Sequence, residues 1–588
     1  MRALLLALGI GLCTPVHAQQ AADTVAPEGV GAGGLQVPDP LAGAQAAKDA
    51  GRPVEAENWM IAAAHPLAVE AGAKVLRAGG TAADAMVAVQ AVLGLVEPQS
   101  SGLGGGAFLV WHDGTSGEIT TLDGRETAPL DATPTLFQDA TGQPLEFFDA
   151  VVGGRSVGTP GTPALLSAAH DRWGQAAWPG LFADAIRLAE DGFPVSPRLA
   201  SLVAGDAERL ARFPATRAYF LPGGEPLAAG ARLRNPAYAE TLRALAAHGP
   251  RAFYSGEIAA DIVATVQAAP GNPGVLTETD LAIYRVRERP ALCVPYRGYE
   301  VCGMGPPSSG ASTVGQILGL LAPFDLAALG PDDPEAWRLI GDASRLAFAD
   351  RGRYLADSDF VPVPLKGLLA PDYLNSRSEL LRGDDALPEV SPGRPEFDHA
   401  LNWADDRSIE LPSTSHISIV DGYGNALSMT TTIENGFGAR LMVRGFLLNN
   451  ELTDFSFASH ENGRPIANRV EPGKRPRSSM APTILRRDGA PVLVLGSPGG
   501  SRIIGYVAKT VIAWADWGMD VQEAVALPHL VNRFGPYDLE EPRLAAPLRA
   551  MGYEVTVRDL TSGLHVIEIG ETLQGGADPR REGLAYGE

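Results

Sequence analysis

Residues 414–420 and 426–432 are two strand-forming runs separated by Asp421-Gly422-Tyr423-Gly424-Asn425, a turn sequence that commits the chain to a β-hairpin. The turn also governs which side chains meet. With residues 422–424 as the loop, Asp421 faces Asn425, and the same register sets Thr432 opposite Thr414. Other loop lengths shift that pairing, and Thr430-Thr431-Thr432 also reads as plain strand propensity. A threonine hydroxyl is a poor nucleophile unless a base lies beside it. Cleavage of the Ser413–Thr414 bond would supply one on the same residue, because a freed α-amine has an ordinary pKa of about 7.7–8.0.

Other segments carry groups of matching chemistry, each with a plainer reading beside it. Leu122-Asp123-Gly124-Arg125 puts an arginine just beyond a strand, where it either grips a carboxylate bidentately or makes a local salt bridge. Leu448-Asn449-Asn450-Glu451-Leu452-Thr453-Asp454-Phe455 ends an apolar run with two acids, which bind an ammonium group or stay solvated. Ser478 and Ser479 offer adjacent hydroxyls to a carboxylate, although serine pairs are common. Gly496-Ser497-Pro498-Gly499-Gly500-Ser501 joins a strand to a helix; such a turn aims N–H groups at a developing oxyanion, or is merely tight. Ser101-Gly102-Leu103-Gly104-Gly105-Gly106 lacks the Lys-Ser/Thr of a phosphate loop and reads as backbone packed close against a neighbour.

The formal net charge of −22 over 588 residues argues against nucleic acid as a partner, since phosphate binding needs a basic face. Arg2, the apolar residues 3–12 and Val16-His17-Ala18 form a secretory signal over residues 1–18. That apolar run is too short to span a bilayer, so the expected product has no membrane anchor and is periplasmic or secreted. Residues 19–57, rich in Ala, Gly and Pro, read as a flexible leader. Beyond Trp59, His65-Pro66 opens a helix that stops at Gly79-Gly80, and Thr81 with Asp84 caps the next. Residues 160–270 are mainly helical and 414–448 mainly strand, which suggests a layered α/β protein. Cys293 and Cys302 flank a hairpin turning at Arg297-Gly298. They are directly opposite in its register, so an exported chain is expected to join them, two free buried thiols being the alternative. The ten histidines show neither an HExxH pair nor a Cys/His cluster, so no metal and no other cofactor is expected.

Taken in order, Thr414-Ser415-His416-Ile417-Ser418-Ile419-Val420, the Leu448–Phe455 segment, Lys474-Arg475-Pro476-Arg477-Ser478-Ser479-Met480 and the Gly496–Gly500 turn resemble the γ-glutamyltransferase family of N-terminal nucleophile hydrolases, from about Trp59 onward. The resemblance implies an α/β (α+β) fold of four αββα layers, made as a precursor that cuts itself between Ser413 and Thr414. A large subunit of residues 58–413 and a small one of 414–588 would then stay paired as a heterodimer. Thr414 matches the nucleophile and Thr432 its supporting hydroxyl; Gly499 and Gly500 match the oxyanion hole. Arg125, Ser478 and Ser479 match groups holding the glutamyl α-carboxylate, and Glu451 and Asp454 those holding its α-ammonium. The implied activity is cleavage of γ-glutamyl amides such as glutathione, with transfer to water or to an amino acid or peptide acceptor. Glu434 stands where typical members carry an asparagine near the ammonium. Gly124 replaces a bulkier aromatic, and residues 458–471 lack the tyrosine that covers the pocket in some members. These departures resemble the branch that includes glutaryl- and cephalosporin-type acylases, which share the mechanism but not the acyl group. A non-catalytic exported binding protein is the alternative from another class; Gly496-Ser497-Pro498-Gly499 lacks the GxSxG elbow of a serine hydrolase.

Overall fold

The computed structural model describes residues 34–399, 402–408 and 410–588. The signal segment and the first part of the leader lie outside them. The strands that build the molecule are, in chain order, β1 (Val54–Ala56), β2 (Met60–Ala63), β3 (Gly106–His112), β4 (Ile119–Gly124), β5 (Arg287–Pro290), β6 (Leu292–Tyr296) and β7 (Tyr299–Gly303). They continue as β8 (Ser415–Val420), β9 (Ala426–Thr432), β10 (Thr483–Arg487), β11 (Ala490–Gly496), β12 (His565–Ile569), β13 (Leu573–Ala577) and β14 (Leu584–Gly587). They form two seven-stranded sheets, ordered β14-β2-β8-β9-β3-β4-β5 and β1-β13-β12-β11-β10-β7-β6.

The alternation along β8 explains how the sheets stack. Ile417 and Ile419 point outward into the helical core, while Val420 joins Ala62, Val110, Ile484, Val494 and Ile567 in an apolar layer between the sheets. Small hydroxyls on the same inner face stitch the layers: Ser418 Oγ donates to the His565 carbonyl at 3.0 Å and Ser428 Oγ to that of Leu495 at 2.9 Å. Helices α1 (Pro66–Arg77), α2 (Ala82–Val96) and α3 (Thr162–Trp173) cover the first sheet. Helices α4 (Gly310–Leu321), α5 (Pro334–Tyr354) and α6 (Ile503–Ala515) cover the second. The result is the αββα stack. Helix α2 is buried along its whole length and starts from the capping box of Thr81 and Asp84. Among the described residues no helix is long and apolar enough to cross a membrane.

Two expectations need correction. Residues 34–57 are not a loose leader: Ala42–Asp49 is helical and β1 pairs with β13. Buried Lys48 donates to the carbonyls of Arg581 and Gly583 at 2.7 and 2.6 Å, so this segment is ordered by groups more than 500 positions away that no local pattern reveals. Residues 433–448 contain only the short strands Met442–Val443 and Phe446–Leu447, because Glu434, Phe437, Arg440 and Arg444 adopt positive φ and turn the chain. The hairpin β6–β7 has the expected register, with Cys293 directly opposite Cys302 at a Cα–Cα distance of 4.0 Å, and the two are joined as a disulfide.

Candidate active site

The β8–β9 hairpin sets Ser415 opposite Thr431 and Val420 opposite Ala426, and that register carries Thr432 to Thr414. The Thr414 hydroxyl donates to Thr432 Oγ1 at 3.0 Å, and Thr432 Oγ1 also accepts from the Glu434 N–H at 2.8 Å. Thr414 lies just before β8 at φ 94°, a left-handed conformation that a β-branched residue adopts only under constraint, at a cost of about 1–3 kcal/mol. The constraint is visible on both sides. Arg581 Nη1 donates to the Thr414 carbonyl at 3.1 Å, and the Ser413 carbonyl accepts from the Gly499 N–H at 3.2 Å. That last bond aims an amide donor at the carbonyl of the Ser413–Thr414 peptide, where negative charge develops if Thr414 Oγ1 attacks it.

Gly499 and Gly500 end the turn after β11 at φ 139° and 57°, just ahead of α6. A side chain at Gly499 would meet the Tyr506 ring at 2.7 Å, and one at Gly500 the Leu411 carbonyl at 2.7 Å. The glycines of residues 104–106 serve packing alone: a Cβ at Gly105 would lie 1.9 Å from the Thr432 carbonyl.

Thr414 and Thr432 share a cavity of about 20 Å3 with Arg125, Glu410, Leu411, Glu434, Glu451, Asp454, Ser478, Ser479 and Gly500. Such a volume holds a single water molecule, not an acyl group. Arg125, just beyond β4, pairs through Nη1 with Glu451 and through Nη2 with Asp454, and donates to the Pro476 and Arg477 carbonyls. The three residues expected to hold opposite ends of a zwitterion are therefore joined to one another. Glu451 Oε2 and Asp454 Oδ1 remain buried without a hydrogen-bond partner, two acceptors left over for a cation. Burial pushes the Asp454 carboxyl up to about 7 despite Arg125, and burial with the Asp454 charge holds Glu434 well above the usual carboxylate range. Glu434 accepts from Asn450 Nδ2. Ser478 Oγ accepts from the Met480 N–H at 3.1 Å, while Ser479 Oγ accepts from Arg351 Nη2 at 2.7 Å.

The sequence reading missed Glu410, Leu411, Arg351 and Arg581. The first two had a usable signal, since any segment presenting Ser413–Thr414 to the site must itself line it. Arg351, inside α5, and Arg581 had none: only folding brings the first to Glu410 and Ser479 and the second to the Thr414 carbonyl.

The family model for gamma-glutamyltranspeptidase matches residues 68–588. A glutathione hydrolase proenzyme of Bacillus subtilis (strain 168) is 39% identical over 547 residues, covering 90% of this chain and 92% of that one. A glutathione hydrolase proenzyme of Escherichia coli (strain K12) is 36% identical over 553 residues, covering 91% and 92%. The crystal structure of cephalosporin acylase from Bacillus halodurans superposes with a TM-score of 0.81 at 26% identity, covering 91% of this chain and 97% of that one.

Proposed function

The chain belongs to the gamma-glutamyltranspeptidase family, and from that premise we propose that it is a self-processing γ-glutamyltransferase and glutathione hydrolase with Thr414 as nucleophile. In the precursor, Thr414 Oγ1 attacks the Ser413 carbonyl carbon and the oxyanion forms against the Gly499 N–H. The Ser413–Thr414 C–N bond breaks to give an ester and a free α-amine, and water hydrolyses the ester. A large subunit ending at Ser413 and a small one beginning at Thr414 result. In turnover Thr414 Oγ1 attacks the γ-amide carbonyl while its α-amine takes the hydroxyl proton. The Gly499 and Gly500 amides receive the oxyanion, and the leaving amine departs with the proton. Water or an acceptor amine then attacks the acyl-enzyme and restores Thr414. Thr432 holds the nucleophile in place. Ser478, Ser479 and Arg125 orient the α-carboxylate, and Glu434, Glu451 and Asp454 the α-ammonium.

The observation that carries this reading is the pair of unpartnered carboxylate oxygens on Glu451 and Asp454, buried in the cavity that Thr414 lines. They answer an ammonium group. Export directed by residues 1–18, to the periplasm or beyond, belongs to the same proposal. Intact mass under denaturing conditions and turnover of γ-glutamyl-p-nitroanilide test it. Two chains, the smaller starting at Thr414, with activity lost in Thr414→Ala and partly kept in Thr414→Ser, are expected. A Thr414→Ala chain that still splits at this bond overturns the assignment, and one unbroken native chain that binds γ-glutamyl compounds without turnover identifies a binding protein. The likeness to the cephalosporin acylase structure favours one second reading, an acylase for glutaryl-type amides. Efficient turnover of glutaryl-p-nitroanilide, which lacks the ammonium, would select it.

A further inference from the structure

We propose that Arg581 is a positioning residue for the nucleophile: it holds Thr414 by its carbonyl after self-cleavage and sets a fixed positive charge beside the freed α-amine, which keeps that amine a neutral base. The inference rests on Thr414 being the nucleophile that cleavage releases.

Cleavage changes what holds Thr414. The bond from the Gly499 N–H to the Ser413 carbonyl no longer bears on it once the peptide is cut. Besides the strand itself, two holds are left, and both lie within residues 414–588. One is the 3.0 Å bond from Thr414 Oγ1 to Thr432; the other is the 3.1 Å bond from Arg581 Nη1 to the Thr414 carbonyl. The first fixes the hydroxyl. The second fixes the backbone, and with it the place of the amine.

Arg581 is itself firmly seated. It is buried in the turn between β13 and β14, where Lys48 Nζ ties its carbonyl at 2.7 Å and that of Gly583 at 2.6 Å. Asp578, which opens the same turn, accepts from the Leu564 N–H at 3.1 Å and the Arg580 N–H at 3.0 Å. A Cβ at Gly563 would come within 2.9 Å of Arg581 Cδ, so the stem of the side chain is closely packed as well. A guanidinium keeps its charge at any pH the protein works in.

The Thr414 nitrogen is three bonds from the oxygen that Arg581 holds, so the amine lies within about 7 Å of the guanidinium. Most of the other charges around it are acids. From the cavity come Glu410, Glu434, Glu451 and Asp454, answered in part by Arg351 and Arg125. From beneath β8, Glu97 faces Ser415 Oγ at 3.4 Å and is paired with Arg198, whose N–H donates to Glu582. Behind Arg581 stand Lys48 and Asp578, with His416 and His565 held neutral by burial. A surplus of acid favours the ammonium form of an amine, and an ammonium cannot take the proton from Thr414 Oγ1. Arg581 opposes that surplus, because a like charge beside the ammonium disfavours it.

The test is kcat for hydrolysis of γ-glutamyl-p-nitroanilide, without acceptor and at saturating donor, in matured protein verified by mass. Saturation keeps Asp454 ionised against the bound ammonium, so the acid limb of kcat between about pH 5 and 9 reads the amine. kcat falls as pH drops through that limb, and the native midpoint is expected below the ordinary value of about 7.7–8.0. Arg581→Met is expected to raise the midpoint by about one pH unit, and Arg581→Lys, which restores a cation, to keep it near the native position. A limb left in place in Arg581→Met, whether or not kcat falls, overturns the proposal and makes Arg581 a packing group. So does an equal displacement in Arg581→Lys. If Arg581→Met does not mature, the native limb decides, and a midpoint at or above about 7.7 overturns the proposal. A native chain left whole at Ser413 removes the nucleophile assignment and this proposal together, whereas a cleaved chain with its limb misplaced overturns the proposal alone. If only glutaryl-p-nitroanilide is turned over, the acylase reading replaces the glutathione one, and the limb is read with that donor in an Asp454→Asn background.

Discussion

The chemistry proposed for Thr414 draws on its backbone as much as on its hydroxyl. A positive φ, an arginine on its own carbonyl and a glycine amide on the preceding one fix the peptide groups on either side of it, while its hydroxyl is held by Thr432. The acids around it are tuned by burial. Asp454 gains its charge as pH rises through about 7, and only the ionised form attracts an ammonium. KM for γ-glutamyl donors should therefore fall as pH rises from about 6 to 8 while the substrate ammonium stays charged; a flat KM in Asp454→Asn alongside a falling native curve would confirm the group. Glu126, beside Arg125, is fully buried with both carboxylate oxygens unpartnered, and burial pushes it up to about 8 from 4.5. Between those values the unfolded chain has lost this proton and the folded chain keeps it, so stability declines as pH rises across the window and levels off above it. Glu126→Gln removes the penalty. The variant is expected to gain a few kcal/mol over the native protein at pH 8 and almost nothing at pH 4.5, read from urea midpoints at both pH values.

At the scale of elements, the hairpins do most of the positioning. The β8–β9 register puts two hydroxyls in contact, and a slip of one residue would turn Thr432 away from Thr414. The β6–β7 hairpin differs in kind: it closes the edge of the second sheet and contributes nothing to the cavity. Its disulfide ties a short loop already held by ladder bonds. Cys293→Ser/Cys302→Ser is expected to cost about 2 kcal/mol in denaturant unfolding while leaving KM and kcat in place. A loss of activity at unchanged stability would show that the hairpin reaches the site.

For the molecule as a whole, the proposed break at residue 413 divides the strands between two chains without dividing the sheets. In the first sheet β14, β8 and β9 come from the later part and β2, β3, β4 and β5 from the earlier; in the second, β1, β7 and β6 join β10, β11, β12 and β13. Each sheet buries strands of one part beside strands of the other, so the cleaved halves cannot separate without unfolding. The two chains should co-elute on size exclusion in native buffer and resolve only in denaturant. Dissociation in native buffer would contradict this sheet order.

The pairing of Thr414 with Thr432, that of Cys293 with Cys302 and the layered fold were all legible in the sequence, because each follows from local rules: a turn that sets a register, a strand periodicity of two, a capping box. The leader was misread because Lys48 finds its carbonyl partners at Arg581 and Gly583, across most of the chain. The site residues were named as separate hands for a zwitterion; only the tertiary structure joined Arg125 to Glu451 and Asp454, and brought Arg351 from inside α5 to Glu410 and Ser479. Sequence determines which residue types stand at which backbone positions. Which charges neutralise one another, and which are left wanting a partner, depends on distances of a few ångströms between segments hundreds of residues apart, and packing alone decides those.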